Sequence, residues 1–370
     1  QFLTQAQNDI AKMQVPAAHA EWSYATNINF DTAAVSAYFN EVLSTKVAKL
    51  AKEAAKFNDV DVDTDTRRQL DLLKNSLTMP PPADAAKAER LAKIGSDLSA
   101  MYGSGEYCGE DGTCKSLVEM SAEMATLRDA DKLLEYWTGW REVSKPMAPL
   151  YAEQVSLANE GAAELGFENV SALWRGKYDM PADEFPKELD RLWTQVEPFY
   201  ESLHCHVRAK LGEHYGEDVV PQDKPIPAHL LGNMWAQSWG NIYDIVKPQQ
   251  EMKVPDVTGA LAEQGYDEIA MVKQAESFFS SLGFEKLPDT FWERSMFQKP
   301  EGRDVQCHAS AWDLDDKDDL RIKMCIQKTG EEFNVIHHEL GHNYYQRAYK
   351  DQPLLYRGSA NDGFHEAIGD

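Results

Sequence analysis

The residues best suited to catalysis lie between His338 and Asp370. The run His338-Glu339-Leu340-Gly341-His342 is followed by Glu366, inside Phe364-His365-Glu366-Ala367-Ile368-Gly369-Asp370. On an α-helix, His338 and His342 stand one turn apart on one face. Two imidazoles so placed can share a metal ion, with Glu339 beside it. A hydrolytic zinc site takes three protein ligands and keeps a fourth position for water. Glu366, arriving on a second helix, is the best third ligand. Asp370 follows it by one helical turn and is placed to accept the free ring N–H of a liganding histidine. Zinc polarises a scissile carbonyl and lowers the pKa of water toward ~7. Glu339 is then the group to take that proton and pass it to the leaving amine. The competing reading is a solvated amphipathic helix with two incidental histidines. The downstream Glu-x-x-x-Asp and the extra His337 count against it.

The framework around these residues reads as mainly α-helical. Helices are predicted over roughly Thr4–Tyr24, Asp31–Phe57 and Thr64–Leu77. In the second, Val35, Tyr38, Phe39, Val42, Leu43, Val47 and Leu50 fall at helical spacing, with Asp31 as N-cap. Pro80-Pro81-Pro82 stops the last of them, so residues 1 to about 78 read as a separate helical layer. Residues 84–102 and 115–165 are helix-rich again and carry Trp137, Trp140 and Arg141. Residues 182–215 repeat Leu189, Leu192, Trp193, Val196, Phe199, Leu203, Val207 and Leu211, a face expected to be buried. His204, His206 and His214 lie there without an acid at metal spacing and read as structural or solvated. Residues 226–246 carry Trp235, Trp239 and Tyr243 and are expected to form an aromatic core helix, with Gln237 its polar exception. Val305–Trp312 and Arg321–Gln327 read as strands of one small β-hairpin, joined by an exposed acidic link, Asp313 to Leu320. No other clear sheet is expected.

Bulk properties narrow the function classes. The 61 acidic against 37 basic residues give a net charge of −24. Such a surface repels nucleic acid and anionic lipid, so neither is an expected partner. No apolar run reaches the roughly 18 residues of a transmembrane segment. Residue 1 is Gln and no basic-then-apolar leader precedes the helical pattern, as expected of a mature chain whose leader is gone. Cys108 and Cys114 bracket a short loop, Cys307 and Cys325 flank the strand runs, and Cys205 is left over. Two disulfides and a free thiol fit an oxidising compartment; five reduced thiols fit a cytosolic one. Asn169-Val170-Ser171 is a glycosylation sequon wherever the source glycosylates.

Four stretches together resemble the angiotensin-converting enzyme family of zinc dipeptidyl carboxypeptidases. They are His337 to His342, Gly363 to Asp370, Cys307-His308-Ala309-Ser310-Ala311-Trp312, and Ile226-Pro227-Ala228-His229-Leu230-Leu231-Gly232-Asn233-Met234-Trp235-Ala236-Gln237. The resemblance covers most of the chain, and the run Asn343 to Tyr349 looks more like bacterial members than animal ones. It implies a helical zinc metallopeptidase with a deep central cleft, a lid formed by residues 1–78 and a body formed by 79–370. It implies disulfides Cys108–Cys114 and Cys307–Cys325, and with them a secreted or periplasmic location. The second would stabilise by ~3 kcal/mol in the chain-entropy picture.

The same resemblance assigns substrate contacts. Oligopeptides with a free C-terminus would lie alongside Cys307–Ser310 as an added strand. His308 would donate to a substrate carbonyl, and Ala309 would supply a backbone contact. Gln237 would help bind the terminal carboxylate; related single-residue carboxypeptidases carry arginine there and proline at the place of Ala309. Gln237 with Ala309 therefore favours dipeptide release. Read without the family, Gln237 is a core amide, His308 is pinned by its neighbouring cysteine, and Arg141 is a surface group. Trp137 and Arg141 match residues around one chloride, and Tyr178 one near a second. The family domain runs on past its Glu-Ala-Ile-Gly-Asp motif, where it places a lysine, tyrosines and a histidine. Residues 1–370 would thus be the N-terminal portion of one peptidase domain, holding the metal, the base and one side of the cleft. The rival readings are a single-residue carboxypeptidase and a silent peptide-binding relative; such relatives lose a ligand or the base, and none is lost here.

Overall fold

Helix starts follow local capping chemistry. Asn29, in extended backbone, accepts from the N–H groups of Asp31 and Thr32 at 3.0 Å each, and Thr32 Oγ1 accepts from Asn29 N–H. This reciprocal cap starts the helix at Phe30, so Asn29 and not Asp31 is the N-cap. In this computed structural model, residues 1–103, 105–110, 112–248 and 255–370 are described. The fold is mainly α-helical, with two small antiparallel hairpins among the described residues. It divides into two units: Gln1–Pro80, Ala163–Met180 and Val254–Asp370 form the first, Pro81–Ala162 and Pro181–Lys253 the second.

In the first unit, the helices Phe2–Thr26, Phe30–Ala55 and Thr64–Asn75 share a small core of Ala6, Ile10, Leu50, Ala54, Leu70 and Leu73. A larger core joins the helices Glu268–Ser281, Asp289–Arg294 and Gly330–Tyr349 to one hairpin, through Met271, Phe279, Phe291, Ile322, Ile336 and Leu340. That hairpin pairs Ser310–Asp313 with Leu320–Lys323, Ala311 facing Ile322 and Trp312 facing Arg321. Both strands are shorter than the sequence pattern suggests. The acidic link is drawn inward instead of being exposed. Asp319 is buried between Arg294 and Arg321, Asp318 pairs with Arg347, and Asp315 Oδ1 accepts from the backbone N–H groups of residues 317 to 319. Arginines on three neighbouring segments offset the desolvation of these carboxylates.

The second unit holds a core of Met120, Tyr136, Trp140, Val207, Leu211 and Met234. It carries a hairpin the sequence does not announce, Glu106–Cys108 with Cys114–Ser116. Strands of three residues have no readable period; the Cys108–Cys114 disulfide closes this one, and Asp111 in its turn lies outside the described residues. The helix Phe185–Tyr215 corrects another expectation, because its apolar face is mostly exposed. Phe199 is 74% and Val196 53% accessible, and only Val207 and Leu211 are buried. Amphipathic spacing specifies a face but not a partner. Residues 226–246 also differ: two 3₁₀ turns, Ala228–Leu230 and Trp239–Ile242, precede one short helix, Tyr243–Val246. Gly232 at φ 88° and Ala236 at φ 58° break any helix there. The close approach of Ser238 O, 2.1 Å from where a Cβ on Gly232 would sit, requires that glycine. Trp235 and Tyr243 are consequently exposed rather than core.

Candidate active site

The helix Gly330–Tyr349 is built to hold one face fixed. Thr329 caps it, its hydroxyl accepting from Glu332 N–H at 3.2 Å. Ile336, Leu340 and Tyr344, one turn apart, are buried in the core. His338 and His342 therefore project from the opposite side. At the far end Arg347 donates to the carbonyls of Glu285 and Lys286 and to Asp318, which stops the last turn from fraying. Asn343 Nδ2 donates to Trp312 O at 3.2 Å and ties the helix to the hairpin.

The helix Asp362–Gly369, capped by Asn361, crosses this one at the two glycines. A Cβ on Gly341 would lie 2.7 Å from Ile368 O and 2.8 Å from the Cα of Gly369. A Cβ on Gly369 would lie 2.6 Å from His338 Nδ1. Backbone approach at Gly341 and the His338 imidazole against Gly369 leave no room for a side chain at either position. This crossing brings Glu366 Oε2 to 3.3 Å from His338 Nε2 and 3.8 Å from His342 Nε2, while the two Nε2 atoms stand 3.0 Å apart. Ligand atoms about 2.1 Å from a tetrahedral ion would be roughly 3.4 Å from one another. His338, His342 and Glu366 thus form a set that fits zinc in donor type and in spacing.

The surrounding groups favour ligand forms. His338 Nδ1 donates to Asp370 Oδ1 at 3.0 Å, leaving its Nε2 lone pair for the metal. Burial, with His365 and His338 nearby, pushes His342 below the ordinary imidazole range and favours the neutral ring. Glu339 is only 6% exposed. Burial raises its pKa above the ordinary carboxylate value, opposed by His338, His308 and Lys323. A carboxylate so placed binds a proton more readily than one in water, as a shuttle should.

The remaining predicted residues fall in two places. His308 is exposed, with Nδ1 2.8 Å from Ala309 O, just before the strand Ser310–Asp313. Cys307 and Cys325 are joined beneath it, and Lys323, 2% exposed, donates to the carbonyls of Gln306 and His308 at 2.8 and 2.5 Å. Tyr178 Oη lies 3.8 Å from the Cβ position of Gly363, in the same unit. Gln237, Trp137 and Arg141 belong to the second unit. Gln237 is exposed and its N–H donates to Asn233 Oδ1. The Arg141 guanidinium lies 3.7 Å from the centre of the Trp137 ring and donates to the carbonyls of Trp137 and Met234. Cys205 is a free, exposed thiol. His206 meets Val246 O, and His204 stacks near Tyr200 and Trp239. Among the described residues the only three-residue metal set is His338, His342 and Glu366. Lys323, His365 and the glycine pair escaped the sequence reading. None has a partner at a telling local spacing.

A family model described as angiotensin-converting enzyme matches residues 1–370. The chain is similar to angiotensin-converting enzyme of Bos taurus, 40% identical over 357 residues, covering 95% of this chain and 27% of that protein. It is 37% identical to that of the leech Theromyzon tessulatum over 381 residues, covering all of this chain and 61% of that one. It is 33% identical to that of the fly Haematobia irritans exigua over 378 residues, again all of this chain and 61% of the relative. The chain thus spans about a quarter to three fifths of these relatives. All three are animal proteins, and they give no support to a bacterial leaning in Asn343–Tyr349.

Proposed function

The chain belongs to the angiotensin-converting enzyme family, and from that premise we propose that it forms the metal-and-base part of a zinc peptidase that releases dipeptides from the C-termini of oligopeptides. The observation that carries this is the meeting of His338, His342 and Glu366 beside the buried carboxylate of Glu339. When bound, zinc supplies Lewis acidity that makes water a nucleophile near neutral pH. Glu339 accepts the proton of the attacking water at its carboxylate and returns it to the departing amine. His338 and His342 keep their Nε2 lone pairs directed to one point, and Asp370 keeps the proton of His338 on Nδ1. His308 and Ala309 are proposed to meet an extended peptide; what supports this is that their segment is held in place by the ammonium of Lys323 and the Cys307–Cys325 bond.

Gln237 is proposed to bind the terminal carboxylate, and residues 1–78 to act as a lid. Chloride near Trp137 and Arg141 belongs to the same proposal. It is supported by the Trp137 indole N–H, buried beside that guanidinium and, among the described residues, without a hydrogen-bond partner. Secretion or periplasmic export is supported by the two disulfides. No helix among the described residues is long and apolar enough to cross a membrane.

The test is hydrolysis of a free-C-terminus oligopeptide by the full gene product, with products identified by mass spectrometry. Chelator-sensitive release of dipeptides is expected. Glu339→Gln should retain zinc and lose about 10²–10⁴ in kcat. Release of single amino acids would instead assign the single-residue activity. A zinc-loaded protein that cleaves nothing would assign a binding role.

A further inference from the structure

The two histidines of the metal set are held differently at their far nitrogens. His338 Nδ1 meets a carboxylate, Asp370. His342 Nδ1 lies 2.7 Å from another ring nitrogen, Nδ1 of His365. Two ring nitrogens at that distance form a hydrogen bond only if one bears the proton and the other offers a lone pair. Nε2 of His342 faces His338 Nε2 and Glu366 Oε2, the metal side, so the His342 proton sits on Nδ1. His342 therefore donates, and His365 accepts at Nδ1, with its own backbone carbonyl also turned toward the His342 ring. The proton of a neutral His365 must then be on Nε2, which lies 3.4 Å from Tyr349 Oη. Burial, with Asp313 and Asp316 nearby, holds the Tyr349 phenol above its ordinary pKa, so its oxygen remains neutral and can accept.

We propose that His365 is a positioning residue for the metal centre: its Nδ1 lone pair fixes the tautomer and ring angle of His342, and Tyr349 holds His365 in the tautomer that makes this possible. The inference rests on the zinc reading. It also explains an asymmetry of charge. Glu366 and Asp370 already place two carboxylates on the site. A third behind His342 would make that ligand more electron-rich and the bound cation a weaker Lewis acid. A neutral imidazole orients the ring without that effect.

The experiment is zinc affinity by competition with a chromophoric chelator, for the wild type, His365→Asn, His365→Phe and the control His338→Ala. Asn places its amide oxygen where Nδ1 stood, and should bind zinc within ~3-fold of wild type. Phe keeps a ring against Tyr345, whose centre is 5.0 Å from that of His365, but offers no lone pair. It should lose about 10–100-fold in affinity. Wild-type affinity in the Phe variant, or equal loss in Asn and Phe, overturns the assignment of His365 alone. A wild type that takes up no more zinc than His338→Ala overturns the zinc reading, and this inference with it. Should the Phe variant fail to fold, ¹⁵N-histidine NMR of the zinc-loaded wild type decides. The expected spectrum has His365 bare at Nδ1 and protonated at Nε2; the opposite tautomer overturns the proposal.

Discussion

Replacing Gly341 by alanine should weaken zinc binding far more than it weakens the fold. The new Cβ would sit 2.7 Å from Ile368 O and 2.8 Å from Gly369 Cα, against 3.4 Å for ordinary contact. Both obstacles are backbone, so the crossing helices must part by roughly 0.6–0.7 Å. In the metal-free protein the exposed helix Asp362–Gly369 can move out by that amount with little loss, because it is short and its apolar residues Phe364 and Ile368 are already half in solvent. Zinc does not allow the same relaxation, since ligand distances are held within about 0.2 Å. The overpacking cost of about 1–3 kcal/mol therefore falls on the metal-bound state, a loss of roughly 5- to 150-fold in affinity. Gly363→Ala is the internal control. Its Cβ would meet nothing nearer than 3.7 Å, and alanine favours the helix there by up to about 1 kcal/mol. Chelator competition on both variants, with thermal unfolding of the metal-free proteins, tests the argument. If Gly341→Ala binds zinc as the wild type does, or if both variants lose equally, the glycine crossing does not set the position of Glu366.

Two further outcomes follow from buried charges near the hairpin. Burial, then Asp316 and Asp315, raises Asp313 from 3.8 to about 6. The folded state then holds a proton that the unfolded state gives up, so stability falls as pH rises from about 4 to about 6. Asp313→Asn removes that loss while keeping the oxygen that accepts from Lys317 N–H. It should raise stability by about 1–3 kcal/mol at pH 7.5 and by nothing near pH 4. Melts at the two pH values measure this, and no gain at pH 7.5 refutes it. Lys323→Met should leave the carbonyls of Gln306 and His308 unpaired. A stability loss of about 1–3 kcal/mol with unchanged zinc affinity is expected, and a raised KM for peptides in the full gene product. Unchanged KM would show that the His308 segment does not carry substrate.

How much of this was legible beforehand depends on the range of the interactions involved. His338 and His342 declare themselves because a helix turns every 3.6 residues, a rule that acts within one element. The helical repeat of residues 30–55 is visible for the same reason. Even so, local chemistry misled at Asp31, since Asn29 offers an equally good cap from an extended conformation. The face of Phe185–Tyr215 shows the limit of periodicity: the repeat marks apolar residues, but Leu189, Val196 and Phe199 meet solvent. At Gly232 and Ala236 the backbone takes positive φ, and at Gly232 the close approach of Ser238 within the same loop outweighs a helix-like aromatic spacing.

The chain's amino-acid order alone carried the ligand types, the adjacency of Glu339 to a ligand, the cysteine spacing and the predominance of helix. Packing contributed the rest. It set two glycines face to face so that Glu366 reaches the histidines, gave His342 an imidazole rather than a carboxylate behind it, and buried Lys323 under His308. Each of these joins segments well apart in the chain. Their closeness in space follows from how cores fill, and no repeat along the sequence records it.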